Sequence, residues 1–173
     1  MMILNFKDMK NIKYLILAVL AISIWSCKPE KFAPINADIN VVKQLQGTWA
    51  LTKVTQIDQD ASTKGFPYKQ VDITSVYPYT DLVLALVSDA QGNPATFTVT
   101  PGNSPKIVDL TSGTWSLNDP MAPTAIELKN GNVTNTLSLG SYVGLKSGIL
   151  TIKRDKKFNG KVLLSYQYEF TKK

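Results

Sequence analysis

From Gly47 onward, short runs of alternating apolar and polar side chains are cut by clusters of Gly, Pro, Asn and Asp. No other feature constrains the fold as strongly. Period-two alternation puts successive side chains on opposite faces of a strand, and the clusters carry turn chemistry. They are Ala90-Gln91-Gly92-Asn93-Pro94, Pro101-Gly102-Asn103-Ser104-Pro105, Asn118-Asp119-Pro120, Asn130-Gly131-Asn132 and Asn159-Gly160. The runs between them predict strands at Thr48–Ile57, Asp81–Val87, Ala95–Thr100, Thr114–Leu117, Thr124–Leu128, Val133–Leu139, Ile149–Lys153 and Lys161–Phe170, with a weaker one at Val71–Val76. Asn-Gly between apolar runs is the strongest short hairpin signal, and it stands at Asn130-Gly131 and Asn159-Gly160.

About eight short strands with short turns make an antiparallel up-and-down meander. Closing the meander into a barrel removes its unpaired edges. An all-β barrel is therefore expected, with a β-sandwich of the same strands as the alternative. Asp38 followed by Ile39, Val41, Val42 and Leu45 predicts an N-capped helix of two turns that ends at Gly47. On the last strand Leu164, Tyr166, Tyr168 and Phe170 should point inward, and Leu163, Ser165, Gln167 and Glu169 outward. Leu82 to Val87 is apolar on both faces, which predicts cover on both sides or a place against the helix. Leu137/Leu139 and Leu150/Ile152 add further bulk to the inward set and favour a filled interior.

The N-terminal segment reads differently. Lys7, Lys10 and Lys13 precede an apolar stretch, Tyr14 to Ile22, and then Ile24-Trp25-Ser26-Cys27. Met9 to Lys13 is already a complete basic head, so Met9 is a candidate start. A positive head, a short apolar middle and small residues before a cut make a secretory signal. About ten apolar residues are too few to span roughly 30 Å of hydrocarbon as a helix. Ile24-Trp25-Ser26-Cys27 resembles a bacterial lipobox, in which the cysteine thiol is acylated. The resemblance implies lipid attachment at Cys27 and export to a membrane, with the outer membrane the expected one. The chain then divides into a lipoprotein signal peptide (1–27), a flexible tether (28–40) and a barrel domain (41–173). A dozen tether residues reach on the order of 20 Å.

Composition closes several routes. Cys27 is the one cysteine, so no disulfide helps the domain fold, and there is no histidine. That excludes Ser-His-acid and Cys-His catalysis and histidine zinc sites. The 146 residues after Cys27 hold 16 Lys+Arg and 12 Asp+Glu, a net charge of +4. With both signs interspersed, this argues against a nucleic-acid partner.

Leu45-Gln46-Gly47-Thr48-Trp49-Ala50-Leu51 resembles the opening motif of lipocalins and their bacterial relatives. There a short helix runs into Gly-x-Trp on the first strand, and the Trp plugs the closed end of the barrel. Gly113-Thr114-Trp115 is a local echo of that motif. With the lipobox, the chain looks like the lipocalin-like lipoproteins of gut-type Gram-negative bacteria, a set mostly of unknown function. Lipocalins also place an Arg or Lys on the last strand over the Trp. Lys161, Lys172 and Lys173 are poor stand-ins by sequence.

Six residues are candidates for ligand contact. Trp49 and Trp115 read first as packing plugs and second as contacts at a barrel floor. Tyr166 and Tyr168 read first as ordinary core and second as pocket residues, with apolar bodies and hydroxyl handles. Tyr77-Pro78-Tyr79 reads first as a turn with packed tyrosines and second as an aromatic pair that lines a barrel mouth and stacks on a sugar ring. Asp58-Gln59-Asp60 opens like a calcium loop, but Thr63 and Lys69 stand where that loop needs Gly and Glu. These acids read as solvated loop residues. Lys153 to Lys161 is the densest charge run and is expected on a hairpin tip, first as a solvated tip that discourages edge pairing and second as a contact for acidic headgroups. No catalytic residue, metal or cofactor is expected. The function expected is a lipid-anchored envelope module that binds a small apolar or amphiphilic ligand; the alternative is an accessory lipoprotein that docks on an envelope protein complex.

Overall fold

The computed structural model describes residues 40–173. The signal segment with Cys27, the tether as far as residue 39 and the expected cap Asp38 lie outside the described residues. Helix α1 (Val41–Leu45) is capped by Asn40, whose side chain accepts from the Lys43 amide at 2.9 Å. It stops at Leu45 instead of continuing to Gly47, because Gly47 has a φ of +133° and already opens the first strand.

Nine strands follow: β1 (Gly47–Asp58), β2 (Gln70–Asp72), β3 (Val83–Ser88), β4 (Pro94–Thr100), β5 (Ser112–Leu117), β6 (Ala125–Asn130), β7 (Val133–Leu139), β8 (Ile149–Phe158) and β9 (Lys161–Lys172). The sheet runs β2-β1-β3-β4-β5-β6-β7-β8-β9, and β1 also pairs with β9. That pairing closes an eight-stranded antiparallel barrel, with β2 as an extra short strand, and removes the sandwich alternative. β1 serves three neighbours: Gly47–Ala50 lies beside β3, Thr55–Ile57 beside β2, and the opposite edge beside β9. A hairpin forms at each Asn-Gly, but at the first, Asn130 pairs with Val133 and the two-residue loop is Gly131-Asn132. At Asn159-Gly160 both central residues have positive φ, +48° and +76°, the conformation a twisted two-residue hairpin selects.

Where the elements depart from the reading, local polar chemistry is the reason. The weak strand Val71–Val76 shrinks to Gln70–Asp72, because Asp72 accepts from both the amide and the hydroxyl of Thr74 and turns the chain. Asp81 belongs to a 3₁₀ turn, Tyr79–Asp81, before β3 begins at Val83. The outer face of that strand is not covered throughout, and Val87 stands exposed. Asp58 and Asp60 are not loop acids. Asp58 caps a second helix, α2 (Gln59–Thr63), by accepting from Ala61, and Asp60 pairs with Lys64 at 2.7 Å and Lys161 at 3.5 Å. On β9, Ser165 points outward as expected, yet it is buried, because Gln59 of α2 donates to its hydroxyl at 2.7 Å.

The core runs through the barrel. Trp49, Leu51, Leu84, Leu86, Phe97, Ile126, Leu128, Leu150, Ile152 and Phe170 are each about fully buried and belong to one cluster with Leu45, Trp115, Leu137 and Tyr168. Three of the bulky inward residues, Leu139, Tyr166 and Leu164, are only half-buried. The closed end is built on Trp49. Its indole N–H donates to the Leu45 carbonyl at 2.7 Å, and Lys172 of β9 holds its Nζ 5.2 Å from the ring centroid. Lys172 is therefore the basic cap that looked missing from the sequence. Its own Nζ donates to the Gln44 carbonyl at 3.0 Å, which ties α1 to the last strand.

At the other end β1, β8 and β9 outrun the remaining strands. β8 pairs with β7 only at Ser138–Lys153 and Leu139–Ile152, but it follows β9 as far as Phe158–Lys161. The charge run expected on a hairpin tip thus lies along a strand. Six residues past the Ile152 layer, at about 3.3 Å each, carry the tip roughly 20 Å beyond the last fully buried ring.

Candidate functional site

The barrel mouth is made where this long arm meets two crossing segments. On the inner face of the arm, β1 and β9 pair Val54 with Tyr168 and Gln56 with Tyr166, while β8 sets Arg154 opposite Tyr166. The 3₁₀ turn after Pro78 packs Tyr79 against this face, and Tyr79 is buried. From the other side, the segment between β4 and β5 buries Ile107 in the mouth. Two side chains hold it there: Arg154 donates to the Ile107 carbonyl, and Asn135 accepts from the Asp109 amide at 2.9 Å.

Four tyrosines meet in this frame. Tyr166 and Tyr168 sit two apart on one strand face and stack, with ring centroids 6.4 Å apart and planes 22° from parallel. Tyr77 and Tyr79 pack edge to face at 5.8 Å and 87°. The group grades from buried Tyr168 and Tyr79, through half-buried Tyr166, to Tyr77, which is 56% exposed. Burial pushes the Tyr168 phenol up to about 12, and the nearby phenol of Tyr79 adds to the shift. Tyr79 is raised as well, first by burial and then by Tyr166 and Tyr77. Among the described residues none of the four hydroxyls has a protein hydrogen-bond partner. Beside Tyr77 an open cleft of about 750 Å³ is lined by Asp72, Thr74, Ser75, Val76, Tyr77, Pro78 and Thr80. The hydroxyl and amide of Thr74 hold the Asp72 carboxyl below its ordinary range. The cleft therefore counts a carboxylate and an aromatic side chain in its lining, on a scale that fits a small ligand (roughly 300–1,000 Å³).

The structure brings Tyr77, Tyr79, Tyr166 and Tyr168 together and leaves the two tryptophans out. Trp49 lies at the opposite, closed end. Trp115 is 2% exposed and donates its indole N–H to the Val87 carbonyl at 2.7 Å. Both are packing groups with satisfied polar atoms, and an unpaired buried N–H would cost about 1–3 kcal/mol at each. Gln56, Arg154 and Ile107 belong to the mouth and are not among the six ligand candidates of the sequence, Arg154 standing there only as part of the charge run. The even spacing of Gln56 with Val54 and of Arg154 with Ile152 puts each on the inward face of its strand, and that was the available signal. Ile107 sits in an irregular segment and gave none. A second, smaller cleft of about 270 Å³ lies on the outer face of the arm, where Ser165 donates to Asp155 at 2.6 Å.

These features define the class: a closed antiparallel β-barrel domain with a packed interior and a tyrosine-lined mouth. The chain belongs to the family described as a domain of unknown function (DUF5004), whose model matches residues 27–171. No curated protein and no solved structure matches it.

Proposed function

We propose that this protein is a lipid-anchored, non-catalytic binding module of the cell envelope, and that its ligand sits at the tyrosine-lined mouth rather than inside the barrel. One observation carries this reading: four tyrosines gather at the mouth, Tyr77 among them lines an open cleft, and among the described residues none of the four hydroxyls has a protein hydrogen-bond partner. Large aromatic bodies with free polar handles suit an amphiphile, whose ring or chain lies on Tyr77 while its hydroxyls meet the phenols and Asp72. The interior offers less, because Trp49, Phe97, Trp115 and Phe170 occupy it. The family match that begins at Cys27 supports treating cysteine, tether and barrel as one unit.

The test is a screen of residues 40–173 against glycosides and long-chain amphiphiles by native mass spectrometry. An adduct should form, and Tyr77→Ala should weaken it about three- to tenfold, whereas Trp115→Phe should leave it unchanged. No adduct from either panel would refute the ligand site. The filled interior favours one second reading, docking on an envelope protein complex; crosslinking in intact membranes should then recover a partner. Anchoring is tested separately. Cys27→Ala should release the protein from membranes, and retention would refute lipidation.

A further inference from the structure

Nine residues at the end of the β8–β9 arm, Lys153 to Lys161, hold five basic side chains and one acid, Asp155. Their net charge of +4 equals that of the whole chain after Cys27, so the rest of the domain is balanced. The arm is free to use this charge. Lys153 to Phe158 is exposed on both faces of the strand. Asp155 is occupied by Ser165, and Lys161 lies 3.5 Å from Asp60. Among the described residues Lys153, Lys156 and Lys157 form no ion pair. In the middle of the cations stands Phe158, 66% exposed at the turn. The Asp60–Lys161 pair and the Gln59–Ser165 hydrogen bond hold α2 against the arm, and the segment after α2 adds Phe66 and Tyr68, 54% and 92% exposed.

Lysines along a strand edge are a common defence against edge pairing. That role gives no reason for an exposed Phe at the tip, which works against it. A protein interface is also a poor fit, since such interfaces are depleted in Lys and enriched in Arg. Four of the five cations here are lysines, and Arg154 is turned inward onto Ile107. Aromatic bodies ringed by ammonium groups match the boundary of an anionic bilayer, where rings enter the headgroup region and lysines stay with the phosphates. We infer that the β8–β9 arm docks the domain onto an anionic lipid surface. This contact needs neither the lipid at Cys27 nor the tyrosine site, so it stands or falls separately.

The barrel and its core lie within residues 40–173, a compact unit of the chain, and that segment is the material for the test. It is floated with vesicles of phosphatidylcholine alone or mixed with phosphatidylglycerol. It should partition onto the mixed vesicles only, and less so as salt is added. Lys156→Gln with Lys157→Gln should weaken partition more than tenfold, at about fivefold per lysine. Phe158→Ser should weaken it roughly tenfold. Val143→Ser, at an 84% exposed residue in the β7–β8 loop, should change nothing. Equal partition onto neutral vesicles, or a Val143→Ser loss as large as that of Phe158→Ser, would overturn the inference. So would full binding by Phe158→Ser, because the arm would then be a site for any polyanion. All three sites are solvent-exposed, and circular dichroism should show each variant folded.

Discussion

The two Gly-Thr-Trp segments give the sharpest test of how this barrel is held together. Gly47 and Gly113 share a backbone conformation that L side chains rarely adopt, with φ of +133° and +151°. Each is followed two residues later by a buried Trp whose indole N–H meets a backbone carbonyl at 2.7 Å. Their surroundings differ. A Cβ on Gly113 would lie 2.1 Å from the Lys129 carbonyl oxygen and 3.0 Å from a Phe97 ring carbon. On Gly47 it would lie 2.6 Å from Lys172 Cε, the far end of a flexible side chain. On Gly131, φ +57° at a hairpin turn, it would meet nothing within 4 Å.

Alanine at these three positions should therefore separate backbone strain from steric clash. Gly131→Ala carries strain alone, about 1–2 kcal/mol. Gly47→Ala adds the displacement of Lys172 and its hold on Trp49, about 0.5–1 kcal/mol more. At Gly113 the obstacle is backbone. A C···O contact of about 3.3 Å needs β5 and β6 to part by roughly 1 Å beside the Thr114–Lys129 pair. Overpacking of about 1–3 kcal/mol and a weakened ladder bond of about 1–3 kcal/mol then join the strain, for a total of roughly 3–8 kcal/mol. Against a domain stability of about 5–15 kcal/mol, that leaves the protein near the edge of folding. Urea unfolding of residues 40–173 is the assay, with midpoints compared at equal slope and the melting temperature as a second reading. Gly113→Ala should melt on the order of 15 °C lower than the parent. The reasoning is refuted if Gly113→Ala is no worse than Gly131→Ala, or if Gly47→Ala is the worst of the three.

Two further outcomes follow from the ends of the barrel. Lys172→Met removes the cation over Trp49 and the donor to Gln44, and should lower stability by about 1–2 kcal/mol in the same urea assay; Lys172→Arg should retain most of it. Tyr168 holds its proton up to about 12 when folded, against about 10 for an unperturbed phenol. The folded state binds that proton more tightly, so the contribution is whole below pH of about 10 and is lost as pH rises towards 12. Tyr79 acts in the same sense. Urea midpoints measured against pH should fall over that window in the parent and fall less in Tyr168→Phe.

The barrel was legible because its strands are half-buried. Wherever one face meets the core, the alternation of apolar and polar residues is the physical consequence, and β4, β5 and β7 lie within two residues of where the pattern puts them. The tyrosines were legible as candidates, and on β9 as a shared face. Their meeting with Tyr77 and Tyr79 was not, since it depends on the 3₁₀ turn at Tyr79–Asp81 and on Ile107 filling the mouth from an irregular segment. Lys172 was misjudged for a related reason. A strand with Thr171 and Lys172 exposed at its end gives no apolar signal beyond Phe170, yet main-chain pairing carries β9 on to Lys172 and brings its ammonium over Trp49.

The same blindness explains β8, and it bears on function. Alternation reveals a strand only if one of its faces is withheld from water. Leu150 and Ile152 are buried, so the pattern finds the strand there and loses it at Lys153. The backbone does not stop. It keeps its ladder with β9 for another five residues and a bulge, with both faces in solvent and hydrogen bonds to one partner strand. β1 flanks β9 as far as Asp58–Leu164, so only beyond Lys156 is the arm a two-stranded ribbon, which alone is marginal in water. This one is braced along its outer face by α2, through Gln59 to Ser165 and Asp60 to Lys161. The bracing matters more than the charge run it supports. A solvated loop could display the same lysines, but only a stiffened arm holds Phe158 at a fixed distance from the barrel and from the tyrosine mouth.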